Sequence, residues 1–258
     1  MKTNEVKRRI RAGEPTIGTW LTMASISAAE QMAVSGFDWL TIDVEHAPTN
    51  WETASAMCAV VGAQNVAPFV RIPSATDENV KRALDIGAMG IVAPMVTSPE
   101  QAAAVVRSCK YPPDGVRSVA GGRNAAAWGT DGPTYYARAN AEIFVCIQIE
   151  NVEAVERVDE ILAVPGLDCA FVGPQDLTAA LGLPPQLDSP HPSYNAALEK
   201  VLAAARKHKI GAGLMVASAD AARQRHAQGF SMISLAAESR ILAAAATGAV
   251  KEIKAGYA

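Results

Sequence analysis

The chain has 258 residues, of which 50% are hydrophobic and 19% charged, and its formal net charge is −3. That is enough apolar material for one large core and about the length of one α/β barrel. With no basic block there is no electrostatic footprint for nucleic acid, and no apolar run reaches the roughly 18 residues that a membrane-spanning helix needs.

The opening Met1-Lys2-Thr3-Asn4-Glu5-Val6-Lys7-Arg8-Arg9 reads as a helix and lacks the apolar stretch of a secretory signal, so a cytoplasmic protein is expected. The first strand is Ile17-Gly18-Thr19-Trp20. From there one phrase recurs: a helical pattern, a glycine, then a short β-rich run. Its glycines are Gly36 before Asp43, Gly87 before Pro94, Gly166 before Gly173, Gly211 before Val216 and Gly229 before Leu235. Each sits where a helix C-terminus needs a left-handed residue, and the apolar run after it suits a parallel sheet covered by helices. Pro68-Phe69-Val70-Arg71 and Phe144 to Glu150 bring the strands to eight. Helix starts fall between them. Thr49 with Glu52 and Ser98-Pro99 with Gln101 read as capping boxes, and Thr76 precedes Asp77 and Glu78.

Eight alternating β and α units predict a TIM (β/α)8 barrel, one domain over 1–258 with an N-terminal helix and C-terminal helices; a doubly wound sheet is the alternative. Two long connections, Cys109 to Pro133 and Leu181 to Ser193, are expected to form lids or pocket walls. Cys58, Cys109, Cys146 and Cys169 lack CxxC spacing and read as reduced core residues.

In a barrel, catalytic groups stand at the C-terminal ends of strands. Here those ends carry Trp20, then Asp43 with Glu45-His46-Ala47-Pro48, Arg71, Pro94-Met95, Gln148 with Glu150, and Gly173-Pro174-Gln175-Asp176. Two apolar runs that stop on carboxylates, Glu150 and Asp176, suit a hard divalent cation with positions left open for substrate oxygens. Taken singly, each residue has a structural alternative. His46 serves equally as a helix entry, Arg71 as a rim ion pair, Glu150 and Asp176 as helix caps, Asp85 as a solvated acid, and Trp20 and Met95 as core. Their convergence on one face carries the functional reading. No lysine stands at a strand end, which argues against chemistry through a lysine imine.

The runs Ile42-Asp43-Val44-Glu45-His46-Ala47-Pro48, Leu84-Asp85-Ile86-Gly87, Val92-Ala93-Pro94-Met95-Val96, Tyr111-Pro112-Pro113, Gln148-Ile149-Glu150 and Gly173-Pro174-Gln175-Asp176-Leu177, with Arg71 between them, resemble the 4-hydroxy-2-oxoheptanedioate aldolase family. That family also includes 2-dehydro-3-deoxyglucarate and 2-keto-3-deoxy-L-rhamnonate aldolases, and the similarity runs from about Gly18 to beyond Leu214.

The resemblance implies reversible cleavage of a 4-hydroxy-2-oxo acid to pyruvate and an aldehyde, in aromatic or sugar acid breakdown. It implies that Glu150 and Asp176 hold Mg²⁺, Mn²⁺ or Co²⁺, that Arg71 contacts the keto oxygen, and that His46 transfers a proton. Asp85 is implied to support that histidine across a subunit contact. Trp20, Gln148, Gly173, Pro174 and Gln175 are the implied substrate-binding residues, with the amides around Gln175 and Asp176 on the pyruvyl carboxylate. Asp43, Glu45, Arg123 and Leu214 are further candidates. A homohexamer, a trimer of dimers with a swapped C-terminal helix, is also implied. Departures from the family pattern are Thr178, Ala180 and the stretch Ala120 to Ala126, where Arg123 is the candidate replacement for an arginine and Ser118 and Trp128 are candidates for the same wall. Two rival readings are a CoA-ester lyase of the citramalyl or malyl type, for which the strand ends show no basic cluster, and a non-catalytic barrel that binds a 2-oxo acid.

Overall fold

Parallel pairing closes without a gap in the computed structural model, which describes residues 1–120 and 123–257. The strands are β1 (Thr16–Leu21), β2 (Trp39–Asp43), β3 (Ala67–Arg71), β4 (Gly90–Ala93), β5 (Phe144–Ile149), β6 (Cys169–Val172), β7 (Gly211–Val216) and β8 (Met232–Ala237). They lie in chain order, and β8 pairs with β1 through Thr16 to Met232 and Ile17 to Ile233. That closure rules out the doubly wound sheet. All eight expected strands are present.

Side chains alternate along each strand, so one parity fills the barrel and the other packs under the helices. The inward set pairs large residues with glycines. Trp39 stacks on Phe69 with centroids 6.1 Å apart, and Phe69 on Phe144 at 4.8 Å. A Cβ on Gly18 would strike the Trp39 ring, and one on Gly90 would strike Phe144 and Phe69. One layer higher, Trp20 meets Phe171 edge-on at 5.7 Å, with Gly213 against Phe171. The aromatics plug the barrel, so the next inward residues toward the C-terminal end form the floor of a cleft.

Helix entries follow the sequence reading with one shift. Ser98 and Thr76 cap as expected, accepting from the Gln101 and Asn79 amides. The Thr49 box moves by one residue: Asn50 is the cap and accepts from Thr53, while the Thr49 hydroxyl is buried without a partner. An Asn side chain reaches the orphan amide as well as Thr does, and Asn50 is the residue next to the helix. Of the long connections, Leu181 to Ser193 supplies Leu187 to the cleft, whereas no described residue of Cys109 to Pro133 reaches it. Gly121 and Gly122 lie outside the described residues. Trp128 is a packing anchor, buried beside Tyr135, and Ser118 is exposed away from the cleft.

The helix Glu5–Arg11 closes the opposite end of the barrel. Its Lys7 ammonium lies 3.1 Å from the Asp168 carboxylate and donates to the Ile143 carbonyl, and Arg11 reaches the same carboxylate at 2.7 Å. Asp168 also accepts the Val145 amide at 2.9 Å. Burial lowers the Lys7 pKa to about 8 against the opposing pull of Asp168. At the other terminus, the helix Glu238–Ala255 buries only Glu238 and leaves Leu242, Val250 and Ile253 exposed. Among the described residues no helix is long and apolar enough to cross a membrane. All four cysteines are buried free thiols, and burial pushes Cys58 and Cys109 up to about 12.

Removing one charge from a buried pair strands the other, so Asp168→Asn is expected to lower the unfolding free energy by about 3–5 kcal/mol. Denaturant unfolding measures this. A loss under about 1 kcal/mol, the range of exposed pairs, would show that Lys7 is solvated.

Candidate active site

Asp43 and Arg71 are register partners at the ends of β2 and β3, and their parity turns both into the barrel mouth. The guanidinium forks onto the carboxylate, Nε to Oδ1 at 2.9 Å and Nη2 to Oδ2 at 2.6 Å. Such a bidentate, charge-assisted pair sets direction as well as distance. The Arg71 Cζ also lies 4.6 Å from the centre of the Trp20 ring, a cation–π contact on its other face. Asp43 Oδ1 additionally accepts the amides of Glu45 at 3.0 Å and His46 at 3.3 Å, which folds the following loop back over the strand end.

That loop places Glu45 Oε2 3.4 Å from Arg71 Nε and 3.8 Å from His46 Nε2. The His46 side chain is 65% exposed. Burial raises the Glu45 pKa, opposed by Arg71 and His46 and reinforced by Asp43 and Asp176.

On the far wall, Gln148 Nε2 donates to Glu150 Oε2 at 2.7 Å, and the Met95 amide donates to Glu150 Oε1 at 2.8 Å. Met95 makes this bond from a left-handed backbone, φ 53°, an uncommon state for a side chain of its size, and its side chain is exposed. Gly173 is required here because a Cβ would strike the Glu150 carboxylate. It is followed by the helix Pro174–Ala180, whose first turn carries Gln175 and the exposed Asp176; proline at the first position has no amide to satisfy. Burial pushes the Glu150 carboxyl up to about 7. The Met95 amide and Arg71 oppose that shift, and the charges of Asp176 and Glu45 reinforce it.

A cleft of about 270 Å³ joins these walls. It is lined by Trp20, Asp43, His46, Arg71, Gln148, Gly173, Pro174, Gln175 and Asp176, so nine residues singled out in the sequence meet in one place. Glu45 and Glu150 stand directly behind them. Three candidates lie elsewhere. Leu214 has the wrong parity: it is fully buried outside the barrel lumen, and its neighbour Met215 lines the cleft. Arg123 bonds the Ser55 hydroxyl and lines a separate cavity with Lys2 and Met89. Asp85, at the end of the helix Asp77–Asp85, bonds the fully buried Arg117 at 2.7 Å and does not reach this chain's own cleft.

The cleft also contains residues the sequence reading missed. Phe171, Leu187 and Met215 form an apolar wall, and Thr22, Ser239 and Arg240 form a polar rim. Strand parity was sufficient to find Phe171 and Met215, two steps from Gly173 and Gly213. The rim depends on Glu238, whose carboxylate accepts from the Thr22 and Met23 amides at 2.5 and 2.7 Å and from the Thr22 hydroxyl at 3.0 Å.

The donor set fits a hard cation. The charge of Asp176 raises the Glu150 pKa, neither carboxylate makes an ion pair among the described residues, and the Gln148 Oε1 on the Glu150 wall is buried with no hydrogen bond. No group of three His, Cys, Asp or Glu side chains converges among the described residues. An ion held here therefore has two carboxylates and several positions for water or substrate, the pattern that suits Mg²⁺ and similar ions.

Residues 16–245 match the family model described as HpcH/HpaI aldolase/citrate lyase. The chain is 38% identical to the hydroxypyruvate/pyruvate aldolase of Paraburkholderia phytofirmans, across 98% of both proteins. It is 35% identical to the 4-hydroxy-2-oxo-heptane-1,7-dioate aldolase of Escherichia coli, across 94% of this chain and 92% of that one. A crystal structure of an HpcH/HpaI aldolase/citrate lyase family protein from Burkholderia cenocepacia superposes with a TM-score of 0.91 at 38% identity, covering 98% of this chain and all of the other. A closed barrel whose strand ends assemble an arginine–aspartate clamp opposite a glutamate and an aspartate thus belongs to the HpcH/HpaI aldolase family, and the chain is an enzyme of the aldolase class.

Proposed function

We propose that this barrel is a divalent-metal-dependent aldolase that reversibly cleaves a 4-hydroxy-2-oxo acid to pyruvate and an aldehyde. The observation that carries the reading is the Arg71–Asp43 clamp set across one small cleft from Glu150 and Asp176. A divalent ion (Mg²⁺, Mn²⁺ or Co²⁺) bound by those two carboxylates supplies Lewis acidity at the 2-oxo oxygen.

The chain's own residues do the rest. Breaking the C3–C4 bond leaves negative charge on the former keto oxygen, and Arg71, immobilised by Asp43 and Trp20, stabilises it without reorganising. His46, at the open side of the cleft and 3.8 Å from Glu45, takes the 4-hydroxyl proton as the aldehyde leaves, and the enolate then gains a proton at C3 to become pyruvate. Gln148 aligns Glu150, and the first-turn amides of Gln175 and Asp176 receive the pyruvyl carboxylate. The cleft favours this over a CoA-ester lyase. Its two cations are Arg71, already paired, and Arg240, and at about 270 Å³ it suits a short acid rather than a nucleotide ester. Membership in an aldolase family sets aside the non-catalytic binder.

We further propose a cytoplasmic hexamer, a trimer of dimers, in which Asp85 acts beside the partner subunit's His46. Arg117 holds Asp85 away from its own cleft, and the C-terminal helix offers Leu242, Val250 and Ile253 as an uncovered apolar stripe. Asp85→Asn is then expected to lower kcat and shift its pH profile together with that of His46, with pyruvate affinity retained. An unchanged pH–rate profile overturns the shared site.

Exhaustive chelation is expected to abolish aldol cleavage, and Mg²⁺, Mn²⁺ or Co²⁺ to restore it. Glu150→Gln and Asp176→Asn should each weaken metal binding by more than about 100-fold while the circular dichroism of the barrel is preserved. Full turnover after chelation would refute metal dependence. Arg71→Lys is expected to lower kcat by about 100-fold despite keeping the charge, because an ammonium cannot make the forked contact. His46→Ala should lose about 100-fold or more in cleavage and still bind pyruvate. Equal losses of pyruvate affinity in the two variants, measured calorimetrically, would contradict this division of roles.

A further inference from the structure

The rim of the cleft opposite the metal-binding carboxylates is cationic, and nothing in the chemistry above uses it. Arg240 lines the cleft from the first turn of the helix Glu238–Ala255, and among the described residues it makes no ion pair. Its nearest acid in sequence is unavailable: both Glu238 oxygens are bonded, to the Thr22 and Met23 amides and to the Thr22 hydroxyl with the Ser239 amide. Asp43 is committed to Arg71 in the same way. The Thr22 hydroxyl donates to Glu238 and lies 2.9 Å from the Ser239 hydroxyl, so these two groups are bonded to Glu238 and to each other, and the Arg240 guanidinium is the group left at the rim without an acid. Phe171, Leu187 and Met215 line the same cleft with apolar surface.

The cleft therefore combines the Arg71 site, a set of apolar side chains and an unpaired cation. We infer that Arg240 selects the aldehyde half of the substrate by an anionic terminus, a carboxylate or a phosphate, separated from the reacting carbonyl by a short carbon segment. The inference rests on the pyruvate-aldolase reading and deepens it. In the synthetic direction the pyruvate methyl carbon loses a proton and bonds to the aldehyde carbon, and the aldehyde oxygen gains a proton to become the 4-hydroxyl. Arg240 takes no part in these transfers. It is a specificity residue that holds the far end of the aldehyde, and a charged hydrogen bond of this kind discriminates by about tenfold or more.

The test uses the full chain with Mn²⁺, pyruvate and aldehydes matched in length but ending in methyl, hydroxymethyl, carboxylate or phosphate. The wild-type enzyme is expected to favour at least one anionic aldehyde over its neutral match by about tenfold in kcat/KM. Arg240→Gln should collapse that ratio through KM, and Arg240→Lys should keep part of it. Added salt should also shrink the wild-type preference, because the rim is solvent-exposed. The carboxylate and phosphate arms identify which terminus is read. A ratio unaffected by Arg240→Gln, or a wild-type preference for the neutral aldehydes, overturns the assignment. Exchange of pyruvate methyl protons into deuterated water, followed without any aldehyde, separates the two levels. Exchange with an unaffected ratio refutes Arg240 alone, and absence of both exchange and aldol cleavage refutes the aldolase reading beneath it.

Discussion

The contact on which the site depends is the fork between Arg71 and Asp43. A guanidinium at the mouth of a barrel is useful only if it points at the place where charge develops, and a free arginine has several rotatable bonds with which to point elsewhere. Here two strands in register, a carboxylate matched to the fork and an indole face at 4.6 Å remove that freedom. The same carboxylate oxygen caps the amides of Glu45 and His46. One buried acid thus holds both the Arg71 guanidinium and the loop that carries His46. Asp43 is fully buried, so its charge is tolerable only because the fork and two amides satisfy it.

The height of this assembly in the barrel is set from below. Trp39, Phe69 and Phe144 stack against one another, and Gly18 and Gly90 make room for them. Trp20 and Phe171 form the next layer, Gln148 is the register partner of Phe171, and Arg71 lies two residues beyond Phe69 on β3. A barrel filled this way has no slack beneath its catalytic residues. The glycines matter because a methyl group at Gly18 or Gly90 would push an aromatic ring upward, and the dense packing of the interior transmits that displacement to the cleft.

The barrel was legible in the sequence because each unit is written locally: a glycine at a helix end, an apolar run, and a polar residue where the run stops. The same rule identified Asp43, Arg71, Gln148, Glu150 and the Gly173 turn. It failed where position depends on parity or on distant partners. Leu214 and Met215 are both apolar neighbours in one run, and only the register of β7 against β8 decides which faces inward. Arg123 looked free in a loop, whereas its partner is Ser55, 68 residues away. Arg117 lies buried among Tyr111 and Tyr135 with Asp85 as its acid, a box assembled from three separate segments. The rim was missed for the same reason. Glu238 and Thr22 are 216 residues apart, and they meet only because the last strand closes on the first.

That closure explains why the two ends of the cleft differ in kind. The acids come from β2, β5 and the turn after β6, and burial raises the pKa of Glu45 and Glu150. The seam between β8 and β1 has a different economy: its single buried acid, Glu238, is saturated by backbone amides and a hydroxyl, which leaves the neighbouring guanidinium uncompensated. Carboxylates and an uncompensated guanidinium thus line one cleft of about 270 Å³. On the proposed reading, an ion held by Glu150 and Asp176 would satisfy the carboxylates, and a substrate with an anionic far end would satisfy Arg240 while its carbon chain covers Phe171, Leu187 and Met215. A substrate satisfying all three regions at once is held in line with Arg71. A neutral or shorter one satisfies the carboxylate end alone, binds without being aligned, and leaves the reacting carbon free to move out of line with the oxyanion site.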